Sequence, residues 1–89
     1  MSKKMDIKKI KILAEKFKIR EIYLFGSSVS DYDKANDIDI GIKGLIPTKF
    51  FEFYGKLLMS LSKPVDLVDM DEKNPINRVI MEEGEKIYG

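Results

Sequence analysis

The alternating stretch NDIDIGI sets Asp37 and Asp39 one residue apart in an otherwise apolar pattern. Strands are poor in Asp, and neighbouring like charges repel, so a pair kept there is suited to holding a cation. A period of two sends both carboxylates from one face of the strand, about 6–7 Å apart at the backbone for a rise of about 3.3 Å per residue. Ile38, Ile40 and Ile42 take the other face and fix the direction in which the acids point. Oxygen donors of this kind suit Mg²⁺, Mn²⁺ or Ca²⁺. A calcium-loop reading of DYDKANDIDI fails, because Ala35 occupies the fifth ligand position and no glycine follows it.

Upstream, the apolar run EIYLF stops at Gly26-Ser27. A strand that turns sharply at Gly-Ser presents backbone N–H groups and a hydroxyl, and a short helix after it would add a field favourable to phosphate. Glycine also lets a ligand approach the main chain closely. Anion donors beside paired acids suit a metal-bound polyphosphate, and two-metal transfer at phosphorus calls for a further carboxylate. Asp66, inside the apolar PVDLV where an unpaired charge is costly, is the natural third acid. Asp69 and Asp71 remain alternatives, and period two sets Asp66 and Asp69 on opposite faces. With no His and no Cys, the usual general base, the usual zinc ligands and thiolate chemistry are all excluded.

These groups need elements to position them. Ile7, Ile10, Ala14 and Phe17 recur at helical spacing over residues 6–18. EIYLF (21–25) reads as a strand buried on both faces, DIDIGI (37–42) as a half-buried one and PVDLVDM (64–70) as a third. Pro47 opens a helix running to about residue 62, in which Phe50, Phe51, Phe53 and Tyr54 are expected in the core with Leu57, Leu58 and Leu61. Asn74 and Pro75 open a last helix, with Ile76, Val79, Ile80 and Ile87 facing inward. Alternating helices and strands give an α/β class with a small sheet covered by helices, in one domain spanning residues 1–89.

Charged residues make up 35% of the chain and the net charge is +1. Residues 1–20 hold eight basic residues against two acidic ones, leaving eight against thirteen in the remainder. The lysines of the first helix read as a solvated face, and the near-neutral whole disfavours a nucleic-acid binder. No segment is long and apolar enough to span a bilayer, and the start has no signal-peptide core, so a cytoplasmic location is expected.

Gly26-Ser27, nine intervening residues, Asp37-Ile38-Asp39 and a later strand with Asp66 resemble the nucleotidyltransferase superfamily of DNA polymerase β and kanamycin nucleotidyltransferase. The likeness is greatest to its smallest branch, the minimal nucleotidyltransferases. It covers nearly the whole chain, through IYLFGS, NDIDIGI, VDLVDMD and VIMEEGEKIYG. The resemblance implies a polymerase-β-like fold, a small mixed sheet with flanking helices. It implies that Asp37 and Asp39 ligate the Mg²⁺ carrying ATP, with Mn²⁺ as a substitute, and that Asp66 joins them at a second ion and favours deprotonation of the attacking hydroxyl. Gly26 and Ser27 would hold the β- and γ-phosphates while the acceptor attacks the α-phosphorus and pyrophosphate leaves. It further implies a helical HEPN-domain partner, for which this chain is the antitoxin, in a homo- or hetero-oligomer. At 89 residues there is no room for a separate acceptor domain, so the acceptor is expected on a partner.

The family often follows Gly-Ser with an Arg-containing run; this chain has Ser28, Val29 and Ser30, and Asn36 stands where Ser or Thr usually precedes the first Asp. The loop is also one residue shorter than the commonest spacing. Lys34 and Lys43 are the cations that could replace the lost Arg. The departures leave a second reading open, a binding module that neutralises its partner by contact alone.

Overall fold

The computed structural model describes residues 3–89; Met1 and Ser2, part of the leading segment read above, lie outside them. Chain order is α1 (Lys3–Lys16), β1 (Glu21–Leu24), α2 (Ser27–Ser30), β2 (Ile38–Lys43), a 3-10 turn (Pro47–Lys49), α3 (Phe50–Ser60), β3 (Val65–Asp69), α4 (Ile76–Glu83) and β4 (Glu85–Tyr88). The sheet runs β3-β2-β1-β4, with β1 antiparallel to β2 and β4, and β2 parallel to β3. This is the expected small mixed sheet with flanking helices. Among the described residues no helix is long and apolar enough to cross a membrane.

The period-two alternation divides the sheet into two unlike faces. Ile22, Leu24, Ile38, Ile40 and Ile42 are fully buried on one of them, in a cluster with Ile10 and Ala14 of α1 and Phe53 and Leu57 of α3. The rings of Phe17 and Phe53 meet edge to face there at 5.3 Å. Tyr23, Phe25, Met70 and Ile80 form a smaller cluster on the other face, under α4. Gly41 makes that layer possible: a Cβ there would stand 2.7 Å from Met70 Sδ and 3.1 Å from Ile80 Cδ1. The short α4 covers only part of its face, and the acids lie on that same face.

Three sequence expectations are corrected. Ile87 belongs to no helix: α4 ends at Glu83 and the chain returns as the edge strand β4, where Ile87 packs on the larger core. Helix and strand share apolar spacings over so short a segment, and pairing with β1 decides between them. Val79 is 41% exposed, because the eight-residue α4 fully buries only Ile80. Phe51 and Leu58 are also surface residues, at 82% and 48% exposure. The apolar arc of α3 is wider than the face it can bury against α1 and the sheet. The Asn74 cap forms as expected, with its Oδ1 accepting the Ile76 N–H at 3.0 Å, although Pro75 takes the position just before the helix.

Candidate active site

Chain reversal at Gly26 begins the site. Gly26 has φ +62°, in the left-handed region, and a Cβ on it would lie 2.6 Å from Asp39 Oδ2. Both facts require glycine: the turn needs its conformational freedom, and the Asp39 carboxylate occupies the space a side chain would take. The short α2 follows at once, as expected after Gly-Ser. Its internal bonds run from the N–H groups of Val29, Ser30 and Asp31 back to Gly26 and Ser27, and the first amides lie at its open end, as at any helix start. Ser27 is exposed there and Ser28 is fully buried.

Parallel pairing brings the acids together. β2 and β3 are in register with Asp39 opposite Asp66, and Asp37 stands immediately before β2. Burial raises the Asp39 carboxyl above the usual carboxylate range, and the negative charges of Asp66 and then Asp37 raise it further. The same register carries Asp69 to the far end of the sheet opposite Ile42. There Asp69 Oδ1 accepts the Asp71 N–H at 3.0 Å, and Asp71 Oδ2 accepts the Gly44 N–H at 2.7 Å. Those two acids fasten the end of β3 to the turn after β2, away from Asp37 and Asp39. Asp66 differs from expectation in one respect. It is exposed, on the edge strand β3, rather than enclosed by the apolar residues around it in sequence.

Among the described residues no three acids are drawn close enough to form a finished metal centre. The donor chemistry nevertheless fits a divalent cation. The negative charges of Asp66 and Asp37 both act on Asp39, and none of the ion pairs among the described residues includes any of the three. Lys43 does not replace the missing Arg: it lies at the other end of β2, 3.8 Å from Glu21 and over the Tyr23 ring. Beside Gly26, a hollow of about 320 Å³ between α2 and α4 is lined by Phe25, Val29, Ser30, Ile76, Val79 and Glu83. A larger hollow of about 600 Å³ lies on the lysine-rich side of α1 and has no contact with the acids.

Two positioning features carry no signal of their own in the sequence. Ser28 Oγ donates to the Asp37 carbonyl at 3.3 Å and accepts the Asp39 N–H at 2.8 Å. Asp6 of α1 is fully buried, accepting the Tyr32 hydroxyl at 2.6 Å, the Ser62 N–H at 3.1 Å and the Ser62 hydroxyl at 2.5 Å. Lys63 donates to the Tyr32 and Asp33 carbonyls. The loop leading into Asp37 is thereby tied to α1 and to the α3–β3 connection. Buried Asp within a lysine-rich amphipathic helix reads as solvated until the partners are seen.

Comparison with known proteins agrees with this geometry. The family model described as polymerase beta, nucleotidyltransferase matches residues 8–89. No curated protein matches the sequence. Among solved structures, the chain is similar to one of a toxin–antitoxin crystallised with AMP-PNP, at TM-score 0.78 and 30% identity, over 93% of this chain and 73% of that one. It is similar to a chain of an MntA–HepT toxin–antitoxin structure at TM-score 0.75 and 27% identity, over 98% and 73%. A third similarity, at TM-score 0.76 and 26% identity over 99% and 73%, is to a chain of a tri-AMPylated Shewanella oneidensis HEPN toxin in complex with MNT antitoxin. Fold, acid register and family match coincide over nearly the whole length, and the chain belongs to the polymerase β nucleotidyltransferase family.

Proposed function

We propose that this protein is an antitoxin that transfers AMP from ATP to a helical HEPN-domain toxin. The observation that carries the reading is the parallel register of Asp39 and Asp66 beside the Gly26 turn. The AMP-PNP and the AMPylated toxin in the similar structures support the nucleotide and the acceptor class.

Asp37 and Asp39 would hold the Mg²⁺ that accompanies the triphosphate, and Asp66 a second ion; Mn²⁺ has the same oxygen preference. Divalent metal supplies charge neutralisation at the transferring phosphorus. The chain's own groups do the rest. Gly26 lets the phosphates approach the main chain beside the acids, and Ser27 offers a hydroxyl and an amide to the β- and γ-phosphates. Asp66, exposed at the sheet edge, is open to the acceptor hydroxyl and takes its proton. A bond forms between acceptor oxygen and α-phosphorus, and the bond to the pyrophosphate oxygen breaks.

A second reading, neutralisation by contact alone, is favoured by one observation: the turn after Gly26-Ser27 carries Ser28, Val29 and Ser30 and no Arg. Label separates the two. With the HEPN protein and Mg²⁺, α-labelled ATP should label the partner while γ-labelled ATP should not. Asp66→Asn should slow transfer by roughly a hundredfold or more, about 2.7 kcal/mol at 1.36 kcal/mol per tenfold, while partner affinity stays within about threefold. Silencing of the partner without nucleotide, and no label with either metal, would establish the contact reading instead.

A further inference from the structure

Ser28 lies where the family resemblance anticipates an Arg-containing run, and its side chain does not face solvent. It is fully buried and its hydroxyl is used in both directions. The ladder explains why. β1 and β2 are antiparallel with Leu24 opposite Ile40, so Phe25 and Asp39 face each other next. A hydrogen-bonded antiparallel pair exchanges two bonds. The Phe25 N–H makes one of them, to the Asp39 carbonyl at 3.1 Å. The Asp39 N–H makes its bond to Ser28 Oγ at 2.8 Å. A side-chain oxygen thus takes the place of a strand carbonyl where the main chain turns away at Gly26. The same hydroxyl donates to the Asp37 carbonyl, so one atom holds the backbone on both sides of Ile38, at the two residues whose carboxylates matter.

We infer that Ser28 is a positioning residue that locks the phosphate-binding turn to the metal-binding strand, so that divalent cation and triphosphate bind as one coupled event. The inference rests on the nucleotidyltransferase reading above and adds a residue and a coupling to it. Ser28 touches neither ligand. It fixes the main chain of Asp37 and Asp39 relative to Gly26 and Ser27, so each ligand finds the other half of the site already placed. Without the hydroxyl, turn and strand remain folded on their apolar contacts but settle independently.

The test is calorimetric titration of ATP into the full chain with and without Mn²⁺, for wild type, Ser28→Ala and the near-isosteric Ser28→Cys, with hydrogen exchange at the Asp39 amide measured in parallel. The ratio of the two ATP affinities reads the coupling, which loss of global stability alone does not change while the chain stays folded. Wild type should bind ATP more tightly with Mn²⁺. Ser28→Ala should reduce that enhancement about tenfold, with metal-free ATP binding within about twofold and the Asp39 amide exchanging faster; loss of a buried hydrogen bond is of this order. Ser28→Cys should fall between the two. Equal enhancement in wild type and both variants overturns the inference and leaves the transferase reading standing. A wild type that binds ATP no better with Mn²⁺ than without it overturns both.

Discussion

At neutral pH the Asp39 carboxylate is partly buried and faced by two other negative charges. Its folded-state pKa lies above its unfolded value, so it stabilises the fold at low pH, and that contribution is lost as pH rises through the folded pKa. In the metal-free chain at pH 7, Asp39→Asn should therefore raise the melting temperature by about 2–4 °C, a modest gain because solvent screens the acids. On the proposed function Mg-ATP should raise the wild-type melting temperature further, and the same change should abolish that rise. A fall in the metal-free melting temperature would show that the three charges do not oppose folding. On the proposed function, Asp39 trades stability for ligand capacity. Such a cost is legible in the spacing of Asp37 and Asp39, whereas the Asp39 carboxylate standing where a Gly26 side chain would be, 2.6 Å from the position of a Cβ, is not.

Between elements, the tie that matters to the site is Asp6–Tyr32–Ser62, which joins α1, the loop before Asp37 and the start of the segment into β3. Burial, and then its hydrogen bond to Asp6, holds the Tyr32 hydroxyl in its neutral form well above pH 10. The linkage sign follows: stability from this tyrosine is fully present below about pH 10, where unfolded tyrosine ionises, and is lost as pH rises above it. Tyr32→Phe should cost about 1–2 kcal/mol at pH 7 by leaving Asp6 short of a donor. It should also flatten the loss of stability between pH 9 and 11 in urea unfolding curves. An unchanged alkaline limb would remove Tyr32 from the tie. Helix α1 and strands β1 to β3 are visible in their apolar periodicities; β4 is not, because its four residues extend the spacing of α4 and only pairing with β1 separates them.

Over the whole molecule, one sheet face is closed by α1 and α3 and the other is left open past the end of α4. The closed side also bears apolar side chains that no described residue buries: Phe51 at 82% and Met59 at 85% exposure. Phe51→Ser should accordingly change the stability of the isolated chain by no more than about 0.5 kcal/mol. Phe53→Ala, two residues along and fully buried, should cost about 3–5 kcal/mol. Thermal or urea unfolding of the two variants checks this directly, and a large loss at Phe51 would return it to the core.

The sequence by itself determined the elements that carry strong periodicity, the face on which Asp37 and Asp39 lie, and the sharp turn at Gly26-Ser27, because these follow from spacing along one strand and from local turn chemistry. Tertiary structure decided what depends on register between strands distant in sequence. It set Asp66 rather than Asp69 or Asp71 opposite Asp39, placed Lys43 at the wrong end of β2 to serve the site, and buried Ser28 and Asp6 with partners 9 to 56 residues away. Sequence patterns report which side of an element is apolar. They do not report which polar group lies across the ladder, since a one-residue shift in register changes every neighbour while leaving each strand's own pattern intact.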